Sequence, residues 1–113
     1  MGLGPTIIAT GNVQSTFILS VSLTPVAVAA NSTVEQSFTI NGLSSATDQV
    51  SDVSYIGGAW SVNVSLANYR VSANNTLTVS YSNPTGGSVT PPSGTYYVEI
   101  NRIYSGLTMS TIQ

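Results

Sequence analysis

Arg70 to Arg102 reads RVSANNTLTVSYSNPTGGSVTPPSGTYYVEINR, and its spacing decides the fold class. Val71, then Leu77, Val79 and Tyr81, then Tyr96, Val98 and Ile100 recur at every second position. Only turn formers lie between these runs: Asn74-Asn75, then Asn83-Pro84-Thr85-Gly86-Gly87 with Pro91-Pro92-Ser93-Gly94. A side-chain period of two makes one face of a strand apolar and the other polar, as in antiparallel strands that pack on a core through one face. The stretch reads as a central β-meander. Leu77, Val79, Tyr96 and Val98 are assigned to the core, and Thr78, Ser80, Tyr97 and Glu99 to a polar face that tolerates charge.

The same alternation extends upstream. Phe17, Leu19, Val21 and Leu23 alternate with Ile18, Ser20, Ser22 and Thr24 in a strand that Pro25 stops, with Ile18 the single break in its polar face. Val26 to Ala30 continue as an edge or connection, and Asn31-Ser32-Thr33 turns the chain. Val34, Gln36, Phe38 and Ile40 form the next face, closed by Asn41-Gly42 in a tight turn. Leu43 to Gln49 reads as a polar loop, and Val50 with Val53 to Ile56 as a short strand. Trp60, Val62, Val64 and Leu66 alternate with Ser61, Asn63 and Ser65, so residues 53–66 read as a hairpin turned by Gly57-Gly58. β-Branched residues prevail where helix formers would be needed, which predicts almost no helix. About seven or eight strands with frequent turns predict one antiparallel β-sandwich, jelly-roll or Ig-like, with apolar terminal arms.

A chain of 113 residues is one domain. Residues 1–12 are assigned to an N-terminal arm or first strand, 13–104 to the body, and 105–113 to a C-terminal tail or edge strand. Charged residues make up 5% of the chain, far below the usual quarter or so, and Ser, Thr and Asn supply the polar surface. Arg70 and Arg102 are the only cations, too few for a phosphate-binding stripe, so nucleic acid is excluded as a direct partner. With no cysteine there are no disulfides and no thiolate chemistry. The chain also lacks a run of about 18 apolar residues and the pattern of a secretory signal, and is expected to be soluble and unprocessed. Met1-Gly2-Leu3-Gly4-Pro5-Thr6 matches the loose myristoylation pattern, which requires removal of Met1.

A serine nucleophile needs a base, and neither histidine nor lysine is present, so no enzyme is expected. Asp48 and Asp52 are the carboxylates to weigh as an acid/base pair or a calcium site; they read as solvated loop residues, and no metal or cofactor is assigned. Tyr55 and Trp60 flank Gly57-Gly58 and are the candidate ligand aromatics, although Trp60 continues the core face of Val62, Val64 and Leu66. Asn31, Asn63 and Asn74 head chance glycosylation triplets. Glu99 and Arg102 fall on opposite faces of one strand and should find different partners. Few charges are available to guard the strand edges of such a body, which argues for a component of an assembly. Leu3, Ile7, Ile8, Leu107, Met109 and Ile112 are the candidate assembly contacts.

The blocks Gln36-Ser37-Phe38-Thr39-Ile40-Asn41-Gly42-Leu43, Arg70-Val71-Ser72-Ala73-Asn74-Asn75-Thr76-Leu77-Thr78-Val79, Asn83-Pro84-Thr85 and Gly94-Thr95-Tyr96-Tyr97-Val98 resemble small all-β virion proteins of tailed bacteriophages. The resemblance spans roughly residues 34–102, although the Gly-Leu-Gly stretch common in that family is replaced by Val62-Asn63-Val64-Ser65-Leu66. It implies a capsid decoration or cement protein, or a head-fibre or collar subunit. Its partners would be the major capsid protein and copies of itself, as a trimer on the capsid exterior, with the chain made in the host cytoplasm. The alternative is a glycan- or receptor-binding module using Tyr55 and Trp60.

Overall fold

The computed structural model describes residues 7–60 and 63–111, with side-chain environments for 14–60 and 63–104. Six strands appear among them: β1 (Ile7–Leu23), β2 (Ser32–Thr39), β3 (Asp48–Tyr55), β4 (Ser65–Ala73), β5 (Thr76–Asn83) and β6 (Gly94–Thr111). They form two antiparallel three-stranded sheets, ordered β1-β6-β3 and β2-β5-β4. The all-β class follows the period-two pattern, and no helix occurs among the described residues.

One core lies between the sheets. The first sheet contributes Leu23, Val53, Tyr96, Val98 and Ile100, and the second Leu77, Val79 and Tyr81, with Val28, Leu43 and Val64 entering from connections. The central strands β5 and β6 are sealed, whereas Phe17, Leu19 and Val21 on the outer strand β1 are only partly buried. Pro25 follows the end of β1, as the sequence predicts.

The strand pairing departs from sequence expectation in three ways. β5 and β6 are not neighbours: Asn83 to Ser93 carries the chain from one sheet to the other, so the expected meander reduces to the β4–β5 hairpin. That hairpin turns at Asn74-Asn75, where Asn75 takes φ 60°, a left-handed conformation that asparagine tolerates. The expected hairpin over 53–66 is also absent. Tyr55 ends β3 in one sheet, Ser65 begins β4 in the other, and Gly57-Gly58 lies in the crossing segment. Among the described residues six strands stand where seven or eight are expected, because Val26 to Ala30, Trp60 and Val64 supply core and connection without ladders of their own. Alternation reports which face of a strand is buried and is silent about its neighbour.

Polar side chains fasten these crossings. Gln36, buried on the core face of β2, accepts from the Val26 N–H and donates to the Val26 carbonyl, each at 2.8 Å, and so holds the β1–β2 connection as a ladder partner would. Asn83, 1% exposed, donates to the carbonyls of Val28 (2.9 Å), Ala29 (3.3 Å) and Gly87 (2.8 Å). Its Oδ1 accepts from the backbone N–H and hydroxyl of Thr85. Together with the Val28–Val89 bridge, this sets the path from β5 to β6.

The outer face of β5 is not the open polar surface that the alternation suggests. Thr78 and Ser80 are buried. The Thr78 hydroxyl lies 2.9 Å from that of Ser37 on β2 and 2.6 Å from that of Ser72 on β4. Arg70 on β4 reaches across the same face to Glu35 on β2 at 3.0 Å. A central strand is covered by its neighbours' side chains even where no second layer lies over it.

Candidate functional site

The most polar constellation is built where β6, β3 and the β2–β3 connection meet. Asp48 and Arg102 are opposed in the ladder on the inner face, and the guanidinium holds the carboxylate with two bonds of 2.7 Å, from Nε to Oδ1 and from Nη2 to Oδ2. Nη2 also donates to the Gly42 carbonyl at 2.7 Å, and the guanidinium carbon lies 5.2 Å from the Phe17 ring centroid. The carboxylate further accepts from the Ser44 N–H and the Thr47 hydroxyl. The expectation that Asp48 is a solvated loop residue is therefore corrected: its side chain is fully buried at the start of β3. The Arg102 guanidinium beside it, with the Ser44 and Thr47 bonds, outweighs burial and lowers the Asp48 pKa from 3.8 to about 2.

Asp52 does not join this group. An irregularity between Val50 and Asp52 inserts one residue into β3, so Asp52 pairs with Glu99 on the outer face while Asp48 pairs with Arg102 on the inner one. Asp52 is exposed and accepts from the Ser54 hydroxyl at 2.9 Å. The two carboxylates do not converge on a common substrate or cation, and the described residues hold no cluster of three or more potential metal ligands. Glu99 accepts from the Ser51 hydroxyl at 2.6 Å, so it and Arg102 do have different partners. The Asp48–Arg102 pair clamps the β2–β3 connection to β6; the carboxylate and the Arg102 Nε and Nη2 are engaged within the chain.

The structure does bring Tyr55 and Trp60 together. Their rings meet edge-to-face at 5.9 Å between centroids, and Tyr55 packs on Tyr96 at 5.1 Å. The Trp60 indole N–H donates to the Val64 carbonyl at 2.6 Å, and both residues pack against the core. Gly57 and Gly94 lie against the Tyr55 ring, where a Cβ on Gly57 would stand 2.5 Å from its hydroxyl oxygen. These contacts use the rings for packing.

Among the candidate assembly residues, Leu3 and Ile112 lie outside the described residues. Ile7, Ile8, Leu107 and Met109 fall in the β1–β6 ladder, opposite Thr111, Ser110, Gly11 and Ala9 respectively. The ladder runs the full length of both strands, but β3 joins β6 only from Tyr96 to Arg102. Ile103 still donates its N–H to the Thr47 carbonyl at 3.0 Å; beyond it β1 and β6 continue, among the described residues, as a two-stranded ribbon, and the molecule measures 70 × 26 × 24 Å. Sequence reading overlooked Gln36 and Asn83 as organising residues. Gln36 was detectable as the one amide in an apolar face, and Asn83-Pro84-Thr85 as an Asx-type turn.

Comparison with family models, with curated proteins and with solved structures finds no match to this chain.

Proposed function

We propose that this chain is a structural subunit that acts by assembly, as a decoration or cement protein on the exterior of a tailed-phage head, bridging major capsid proteins. The observation that carries the assembly role is the β1–β6 ribbon. A two-stranded ribbon is at best marginally stable alone in water and needs a third strand or a packed face. Between Tyr104 and Thr111, β6 has β1 as its only ladder neighbour among the described residues, so a surface outside the chain is the natural support. The virion setting within this reading comes from the resemblance of residues 34–102. The two-sheet body is read as a β-sandwich of jelly-roll or Ig-like kind.

The aromatic pair lends less to the glycan-binding alternative, because the Tyr55 and Trp60 rings meet edge-to-face and the indole N–H is engaged by Val64. Co-sedimentation of the purified chain with phage heads tests the proposal. Saturable binding at a fixed ratio to the major capsid protein supports it. Failure to bind heads, together with binding to a glycan array that Trp60→Ala abolishes, would replace it with the alternative.

A further inference from the structure

We propose that β1 is a docking edge for a second copy of this chain, the two β1 strands pairing antiparallel about a two-fold axis at Ile18 and joining their sheets into one of six strands. This goes beyond the decoration reading and holds whatever particle the chain serves.

β1 ends the sheet order β1-β6-β3 and so, among the described residues, has a ladder neighbour on one side only. Natural edge strands are guarded against further pairing by charge or by bulges. The three other edges carry such guards: Glu35 on β2, Asp48, Asp52 and an irregularity on β3, and Arg70 with two irregularities on β4. The remaining charges of the chain, Glu99 and Arg102, lie on β6. β1 carries none, and its register from Val13 to Leu23 is unbroken. It is the one long, regular, uncharged edge among the described residues.

The same strand is unfinished on both faces. On the outer face Ile18 is 60% exposed amid Gln14, Thr16, Ser20 and Ser22. On the inner face Phe17, Leu19 and Val21 are only partly buried, although their ladder partners Ile100, Val98 and Tyr96 are sealed. A hollow of about 220 Å³ opens beside Phe17 and Leu19.

A second copy of β1 fits this edge, and Ile18, the one exposed large apolar side chain among residues 14–23, sets the axis, since self-pairing there covers it. Read outward from Ile18, its residues pair by polarity: Phe17 with Leu19, Thr16 with Ser20, Gln14 with Ser22 and Val13 with Leu23, with only Ser15 and Val21 mismatched. A two-fold axis through Ile18 sets each residue opposite its counterpart in the partner. Phe17 then packs beside the partner's Leu19 and Thr16 beside the partner's Ser20, while the two Ile18 side chains cover each other. Because residues 1–34 carry no charge, no like charges meet near the axis.

Cross-linking of single-cysteine variants of the full chain tests the pairing and its register, since the protein has no cysteine of its own. Residues directly opposed in an antiparallel pair have Cβ atoms about 4.5–5.5 Å apart, close enough for a disulfide after small adjustment. Under mild oxidation Ile18→Cys should form covalent dimers at least tenfold faster than Thr16→Cys, whereas an equal mixture of Thr16→Cys and Ser20→Cys should give the mixed dimer. In sedimentation the unmodified chain should be dimeric, and Ile18→Lys should be monomeric with its melting temperature retained. Equal cross-linking rates for Ile18→Cys and Thr16→Cys, or an unmodified chain that sediments as a monomer, would overturn the proposal. A trimer without dimeric contacts would overturn it too, while leaving the assembly role intact.

Discussion

Asp48 has one buried carboxylate held by four donors, so its contribution to stability depends on pH in a defined direction. Its folded pKa is depressed, so the stabilisation is complete above the unfolded value near 3.8 and is lost as pH falls towards about 2. The loss should amount to about 1–2 kcal/mol after allowance for the water that reaches Arg102. Acid titration of the melting temperature checks this: the decline between pH 4 and pH 2 should flatten in Asp48→Asn. Asn83→Ala should cost at least about 2 kcal/mol, because it removes the amide's bonds to the Val28, Ala29 and Gly87 carbonyls and takes the acceptor from the Thr85 backbone N–H. Tyr81 presents the opposite case. Its hydroxyl is buried without a hydrogen-bond partner among the described residues, and desolvation pushes the phenol well above its ordinary value of 10.0. Tyr81→Phe should therefore hold or raise stability, by up to ~1 kcal/mol in a denaturant titration.

At the scale of elements, alternation made the strands legible and left their partners hidden. Val79 and Val98 are both at 0% exposure, as their spacing predicts, yet they belong to different sheets. No periodicity distinguishes a turn that folds a strand back on its neighbour from a crossing that carries it to the opposite layer. The turn formers of Asn83 to Ser93 predict the former; its actual course is set by the Asn83 amide and the Val28–Val89 bridge, contacts between residues far apart in sequence. The burial of Asp48 is hidden from the sequence for a related reason. Its environment depends on Arg102, 54 residues later, and its face differs from that of Asp52 because one inserted residue shifts the ladder. The central position of β5 also alters what its outer face accepts. Thr78→Asp would force a carboxylate between the Ser37 and Ser72 hydroxyls at a buried site, at a cost of several kcal/mol by desolvation. Soluble expression and melting should show Thr78→Asp nearly as damaging as Val79→Asp, with Thr78→Ser tolerated.

Over the whole molecule, 70 Å in length against 26 Å and 24 Å across, the two-sheet body and the ribbon are set apart by how they are supported. The body has a core drawn from both sheets, and β6 is flanked there by β1 and β3. Removing residues 105–113, or residues 1–10, should therefore leave the body folded by circular dichroism and weaken association with heads. The apolar character of Ile7, Ile8, Leu107 and Met109 was legible in the sequence; that the two ends pair with each other was not, since nothing local relates residues a hundred positions apart. Hydrogen exchange of the full chain, free and dilute and then bound to phage heads, tests the central claim that the ribbon is completed from outside. The account predicts rapid exchange of the amides of Ile7 to Gly11 and Leu107 to Thr111 in the free chain and strong protection when bound, with β5 protected in both states. Full protection of those amides in the free chain, unchanged by heads, would contradict it.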